Sequence, residues 1–467
     1  MSISSGKFVE KYFFYIALFI FTIPNLIASY CVELSFDESY YWIYSRYLDF
    51  GFFDHPPMVG LSIFVGTAIF GQSELGVRIV SNLYLLGTIL LVWDLVREHQ
   101  QKFIFWLLMF SMPLINLSGM VALPDTPLMF FSSLFFWFLP RYLARDSWKN
   151  ALYLGLIISL MFYSKYHGLL IVLLTSFANP AFFKRKTFWG IIGVVTILFL
   201  PHVYWQYQHD FISFKFHLFQ RVEKHFSLNN ILDFIGGQIV LMGFLNFFLF
   251  CYIFYKNKFK DPYERILIFN SFGFLFFLFF MSFRNQIEAN WTISCSIAFI
   301  ILMVKYLAPY KKILIGFSII NIFLHVGLKV ILFNLGPVIN LMDQQENRLN
   351  EIWGWKEERI GKINQLCGSL DIVGDNYQVT SKMAFYNRNP KISALHLGSR
   401  ESQYSILKLQ KMIKANKKIC YLTSKNLSGS ARVETNYKDP VFVLQTTLGD
   451  LATRYGITYA EIIRSRN

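Results

Sequence analysis

Charged side chains are scarce in this chain. Only 16% of its 467 residues are Asp, Glu, Lys or Arg, against 54% hydrophobic and 19% aromatic. So little charge cannot cover a folded surface in water, which excludes an ordinary soluble globule and indicates a polytopic membrane protein. Cysteine is rare as well. The five residues Cys31, Cys251, Cys295, Cys367 and Cys420 show no CxxC and no Cys/His spacing, so a zinc site is excluded. There is no P-loop and no Gly-rich dinucleotide turn, hence no cradle for a nucleotide. No internal repeat or low-complexity segment occurs, which argues against a transporter built from inverted halves.

What charge there is carries topology. Lys and Arg number 44 against 29 Asp and Glu, but much of the excess falls in short loops between apolar runs, so no nucleic-acid partner is expected. Runs of roughly 20 apolar residues cross a bilayer. Such runs lie near 11–30, 77–96, 103–118, 126–143, 150–164, 168–183, 187–205, 234–255, 265–283, 290–306 and 313–334, about eleven spans. The first follows Lys7 and Lys11 but is too long for a secretory signal and has no small-x-small site after it, so it reads as a span. A cytoplasmic N-terminus puts Arg97 and Lys102, Arg141 to Lys149, Lys184-Arg185-Lys186, Lys256 to Arg265, and Lys305 to Lys312 inside. That is the positive-inside bias. It leaves 31–76, 119–125, 164–168, 206–233, 284–290 and the chain after about 335 facing the periplasm.

Residues 1–335 thus read as a transmembrane domain whose first periplasmic loop, 31–76, mixes aromatics with charges, as short interfacial helices do. Segment 206–233, with His209, Lys215, His217, Arg221, Lys224 and His225, reads as a second interfacial segment. From 336 to 467 the spans stop. Leu370–Gly374 and Lys418–Leu422 read as strands, with helical patterns at about 376–387 and 401–416, so a small periplasmic α/β domain is expected. Cys367 and Cys420 fall in it; a bridge and two unpaired core thiols are both open. Cys31, Cys251 and Cys295, in or beside spans, read as packing residues.

The first loop carries the acids that are most expensive to place at a membrane surface: Asp37 and Glu38 after Ser35 and before Tyr41 and Trp42, then Asp54-His55-Pro56-Pro57. Neighbours on a helix diverge by about 100°. One of Asp37 and Glu38 therefore faces a reaction and the other supports it, unless the pair serves only to cap a helix. The two prolines stiffen the backbone after Asp54 and His55, where the imidazole can donate to a phosphate oxygen and the carboxylate can orient it or bind a cation, unless this is a plain polar turn. Asp125, between Pro124 and Pro127, is either a functional acid or a helix start. Lys165, in Ser164-Lys165-Tyr166-His167, needs an anion or water at the same level. Arg221, Arg284, Glu288, Asn290 and Trp291 complete the outward-facing set, and Arg suits bidentate phosphate contact.

These residues resemble the glycosyltransferase-C superfamily, specifically bacterial relatives of protein O-mannosyltransferases and of the aminoarabinose transferase that modifies lipid A. The likeness rests on Asp37-Glu38 with Tyr-Tyr-Trp, Asp54-His55-Pro-Pro, Gly71 with Glu74 and Arg78, Pro124-Asp125-Thr-Pro and Ser164-Lys165-Tyr166. It continues through Trp205 to His209, Gly236-Gly237-Gln238, Asn290-Trp291, Asp375-Asn-Tyr377 and Ala384-Phe-Tyr386. The resemblance implies transfer of a sugar from a polyprenyl-phosphate carrier to an acceptor at the outer membrane face, with inversion at the anomeric carbon. It implies Asp37 as catalytic carboxylate with Glu38 beside it, and His55, Lys165, Arg221 and Arg284 on the lipid phosphate. Asp54, Tyr41, Asp125, Tyr166, His209, Glu288, Asn290 and Trp291 would bind or support substrate. Such relatives often carry Lys before the double proline; His55 stands there instead, so phosphate contact at that spot depends on its protonation, while Lys165 and Arg221 supply permanent charge.

No cofactor is required on this reading, and no ligand spacing indicates a metal, although Asp37, Asp54 and Asp125 on one face are compatible with a weak divalent cation. The acceptor is expected to be lipid A or another glycolipid, which an excess of basic residues after 336 suits. A protein Ser or Thr is the alternative within the enzyme class. A flippase for a lipid-linked sugar, which places acids in mid-span, is the alternative outside it. The expected setting is a bacterial inner membrane.

Overall fold

The computed structural model describes residues 2–97, 102–220, 226–333, 351–397, 400–433 and 441–455. Seventeen helices occupy the described part of the first 333 residues: α1 (Ser2–Cys31), α2 (Phe36–Arg46), α3 (Met58–Phe70), α4 (Glu74–Val96), α5 (Lys102–Ser111), α6 (Pro113–Ser118), α7 (Asp125–Ala144), α8 (Trp148–Ser164), α9 (His167–Ala178), α10 (Lys186–Gln208), α11 (Ile212–Lys215), α12 (Leu228–Leu241), α13 (Asn246–Lys256), α14 (Pro262–Ile268), α15 (Phe274–Met281), α16 (Ile293–Tyr306) and α17 (Lys311–Phe333). Four more follow: α18 (Ile360–Cys367), α19 (Tyr377–Tyr386), α20 (Gln403–Leu407) and α21 (Leu448–Tyr455).

Among the described residues, six helical stretches are long and apolar enough to cross a membrane, or seven if α12 and α13, bent by 95° at their break, count as one. This falls short of the eleven spans expected. The runs near 103–118 and 168–183 are apolar, but their helices α5 and α9 have 10 and 12 residues. Those near 126–143 and 150–164 form α7 and α8, of 20 and 17 residues, which carry polar residues or stop short of a full crossing.

Contacts group the chain into two compact units. One holds Met1–Ser29, His55–Val59 and Arg78–Lys329; the other holds Tyr30–Asp54, Gly60–Val77 and the described part of Val330–Asn467. The expected division at 335 is therefore redrawn. Most of the first loop belongs with the C-terminal chain, because its aromatic side chains pack there.

In the first unit α16 is the axis of the core. Every residue from Ile293 to Val304 is buried, as befits a helix that is apolar all round. Against it lie α5, α7 and α14. Helix α8 packs on α7 and α10, and its contact with α10 is close because small residues lie in it: a Cβ on Gly155 would stand 2.8 Å from Val194 Cγ1, and one on Gly190 2.4 Å from Trp148 Cζ3.

The second unit is built on a five-stranded sheet: β1 (Asp371–Gly374), β2 (Ser393–Ala394), β3 (Lys418–Thr423), β4 (Ala431–Arg432) and β5 (Phe442–Thr447), in the order β2-β1-β3-β5-β4. The pairs β1–β2 and β1–β3 are parallel and β3–β5 is antiparallel, with Ile372 opposite Cys420 and Tyr421 opposite Leu444. The two strands read from the sequence are β1 and β3. Of the helical patterns, 376–387 is α19, whereas 401–416 holds only the short α20 and a 3-10 turn. Cys367 at the end of α18 and Cys420 in β3 form a disulfide, with Cα atoms 5.3 Å apart.

Candidate active site

Helix α2 begins with a capping box. The Glu38 amide donates to Ser35 Oγ at 3.2 Å, and the Glu38 carboxylate accepts the Ser35 amide at 2.9 Å. The cap and a catalytic acid therefore coexist, divided between neighbours. Glu38 is 1% exposed and spent on the backbone; Asp37, one position earlier, is exposed.

Residues 37, 40, 41 and 44 share a face of α2. Tyr40 and Tyr44 both donate to Asp54 Oδ1, the first at 3.0 Å. Burial, then the Asp54 charge, pushes both hydroxyls well above the ordinary tyrosine range, so they remain protonated donors. The Tyr40 oxygen in turn accepts the Gln403 amide at 2.7 Å, and Gln403 Oε1 accepts the Phe53 amide at 2.9 Å. On its other oxygen Asp54 pairs with Arg400 at 3.4 Å. The Arg400 guanidinium lies 4.6 Å from the ring centre of Tyr377, which packs 4.6 Å from the ring of Tyr40. Burial, then the nearby Asp37 charge, raises the Tyr377 hydroxyl to about 12. Tyr41 is buried in the same aromatic group, 5.4 Å from Tyr44.

In the other unit Asp125 opens α7 and Lys165 follows α8, each charge at the helix end that its sign suits. Lys165 Nζ donates to Asp125 Oδ1 at 2.7 Å and Asn290 Nδ2 to Oδ2 at 3.0 Å. Both charged side chains are 5% exposed. Trp291 faces the ammonium at 5.3 Å and meets the His167 ring at 4.8 Å. Asp125 is no side-chain cap, and the anion that Lys165 requires is supplied by the protein itself.

Next to Lys165, the Tyr166 hydroxyl is 3.1 Å from His202 Nε2 and accepts from Gln206 Nε2 at 3.0 Å; Gln206 also reaches Ser213 at 2.7 Å. The His217 ring stands 5.7 Å from that of Tyr166 and 6.1 Å from that of His55. His209 stacks on Trp205 at 4.2 Å, with Nδ1 2.8 Å from the Trp205 carbonyl at the end of α10. Arg284 and Glu288 are exposed. Arg221 lies outside the described residues. Among the described residues no group of three or more His, Cys, Asp or Glu is arranged to hold a metal.

Arg400, Tyr44 and His202 were not singled out in the sequence, and Tyr40 and Gln206 entered only within the stretches Tyr-Tyr-Trp and Trp205 to His209. The spacing 37, 40, 41, 44 was a signal for the tyrosines. For Arg400 there was none.

The sequence profile of the family described as dolichyl-phosphate-mannose-protein mannosyltransferase matches residues 54–205. The lipid A galacturonosyltransferase RgtD of Rhizobium johnstonii is 24% identical over 280 residues, 57% of this chain and 59% of that protein. The match thus spans less than two thirds of the curated relative. The crystal structure of ArnT from Cupriavidus metallidurans in the apo state superposes with a TM-score of 0.68 at 14% identity, over 93% of this chain and 98% of that one. In sequence over part of its length, and in fold, the chain is thus similar to the glycosyltransferase-C superfamily. A second structure of the same ArnT, bound to undecaprenyl phosphate, superposes with a TM-score of 0.66 at 15% identity, over 92% of this chain and 98% of that one. The likeness in fold thus takes in residues of both compact units. The profile match begins at Asp54 and includes Asp125 and Lys165, but leaves out Asp37 and Arg400.

Proposed function

We propose that this multi-pass membrane protein is a glycosyltransferase that moves a sugar from a polyprenyl-phosphate carrier to a glycolipid acceptor, lipid A or a related lipid, with inversion. The observation that carries the reading is the exposed Asp37 carboxylate beside a partner acid locked in a helix cap. The acceptor oxygen attacks the anomeric carbon as its bond to the carrier phosphate breaks. Asp37 takes the hydroxyl proton, and the carrier leaves as polyprenyl phosphate. If the acceptor is already an ionised phosphate, Asp37 positions it instead. Cations must meet the leaving phosphate, and His55, Lys165, Arg221 and Arg284 are assigned that task. Asp54, Tyr41, Asp125, Tyr166, His209, Glu288, Asn290 and Trp291 are assigned to substrate or its support. Family resemblance supports the carrier: a solved neighbour binds undecaprenyl phosphate, and a curated relative is named for lipid A.

The carrier's phosphate ester supplies the driving force, so no cofactor enters, and a weak divalent cation remains an option to test with chelator. The basic loops support a cytoplasmic N-terminus in the bacterial inner membrane. The Cys367–Cys420 disulfide supports an oxidising compartment, the periplasm, for the C-terminal domain.

The test is mass spectrometry of lipid A and total glycolipid from cells lacking the protein, rescued with wild type or Asp37→Asn. A sugar-sized mass restored by wild type alone is expected. The matched profile is described as acting on protein, which favours a second reading. Unchanged glycolipids together with a lost glycopeptide mass would move the acceptor to a protein hydroxyl. Equal rescue by Asp37→Asn would remove Asp37 from the chemistry.

A further inference from the structure

An open groove lined by α7, α8, α9 and α10 contains a cavity of about 450 Å³, within the range that holds small ligands, ~300–1,000 Å³. Its wall is hydrocarbon: Ile158, Leu173, Phe177, Phe183, Trp189 and Ile192 are among the lining residues. Of the four lining hydroxyls, Thr196 is exposed and the other three are engaged within the protein. Ser176 donates to the Val172 carbonyl at 2.9 Å, Thr175 accepts from Asn270 at 2.9 Å, and Tyr142 pairs with Thr187 at 3.0 Å. No charged side chain lines the wall, so its match is to hydrocarbon.

The groove opens outward. Phe177 is 65% exposed and Trp189 59%, an arrangement that suits hydrocarbon outside rather than water. It runs along α9, from Phe177 at one end to Leu169 near the other. A helix of 12 residues is ~18 Å long. That approximates one leaflet of a ~30 Å hydrocarbon core, the depth of a single acyl chain.

One end of the groove is charged. Lys184, Arg185 and Lys186 lie between the lining pairs Phe182-Phe183 and Phe188-Trp189. Arg185 is committed to the protein, donating to the Tyr142 and Leu143 carbonyls at 2.6 and 3.1 Å. Asp146 is the acid close by, and it accepts the Thr187 hydroxyl. Lys184 and Lys186 are exposed and carry no ion pair among the described residues. Lys186 also opens α10, whose positive end favours an anion.

We propose that this groove is a phospholipid site. It takes one acyl chain of an anionic glycerophospholipid of the phosphatidylglycerol class, with the headgroup phosphate on Lys184 and Lys186. Hydrocarbon wall, leaflet-length groove and cations at one end match that molecule at each point. The site is separate from the residues assigned to sugar transfer and does not depend on that assignment.

The test is native mass spectrometry of the full-length protein, stripped of lipid in detergent and titrated with phosphatidylglycerol, phosphatidylcholine or undecaprenyl phosphate. Phosphatidylglycerol is expected to bind one per chain, in preference to the other two. Lys184→Glu with Lys186→Glu is expected to weaken it about tenfold or more, at roughly 1 kcal/mol for each cation at a surface. Leu173→Trp, which fills the groove from its partly exposed edge, is expected to abolish the tight equivalent while leaving the unfolding temperature of the protein in place. Equal binding of phosphatidylcholine, or unchanged binding in both variants, would overturn the proposal. Preferential capture of undecaprenyl phosphate would also overturn it, in favour of the carrier.

Discussion

Asp125 and Lys165 are 40 residues apart in sequence and 2.7 Å apart in space. No local pattern announces such a pair; it exists because α7 and α8 run back along each other and bring the first residue of one beside the residue that follows the other. The sequence shows the acid and the cation separately. It leaves the lysine to seek a phosphate. Removing one member of a buried pair strands the other charge at a cost of about 3–5 kcal/mol. Lys165→Ala is therefore expected to lower the unfolding temperature sharply in detergent, and Lys165→Met with Asp125→Asn to recover most of it. If transfer stays absent in the stable double variant, the pair has a role in turnover beyond holding the fold. If activity returns with stability, its role is structural. Arg400 is the opposite case, an exposed-looking basic residue in a tail whose importance rests on Asp54, Tyr377 and Tyr40, all of them remote or unremarkable in sequence.

Whole elements were easier to read. Strands β1 and β3 stood out as short apolar runs, and the helix start read near Asp37 and Glu38 is that of α2. Composition was less informative about length: it shows that a run is apolar, not that its helix is interrupted, as between α5 and α6 or α12 and α13. That is why eleven runs yield six or seven adequate spans. At α8 and α10 the absent side chains matter most. With 2.8 Å between a Gly155 Cβ and Val194, Gly155→Leu must push the helices apart, at a cost of about 1–3 kcal/mol. A lower thermal midpoint and a broadened gel-filtration peak are the expected result. Gly193→Ala serves as the control, because its Cβ meets nothing within 4 Å.

Over the whole molecule, the sequence supports a membrane part and a mixed α/β part; the described residues hold six or seven apolar stretches long enough to cross a membrane and a five-stranded mixed sheet. The boundary between them was drawn along the chain, whereas folding assigns residues by contact: Tyr30–Asp54 joins the C-terminal chain because its side chains complete that unit's packing. The disulfide closes a loop of 53 residues and, by the chain-entropy estimate, contributes about 4 kcal/mol. Cys367→Ser with Cys420→Ser is expected to lower the unfolding temperature, and a reductant to do the same to wild type but not to the variant. No difference between wild type and variant in either buffer would mean that the bridge does not form in the cell.

The buried Lys382 in α19 donates to the carbonyl of Leu34 in the first loop, across 348 positions of sequence. A ribosome adds roughly 5–20 residues per second, so on the order of half a minute separates the making of the loop from the making of its partner. Through that interval Tyr40, Trp42 and Tyr44 are aromatic surface without a lid, and Asp54 lacks its Arg400 partner. The timing of biosynthesis therefore makes the last third of the chain the step that completes Asp37's surroundings. A nascent chain halted before it would be inserted in the membrane but unfinished.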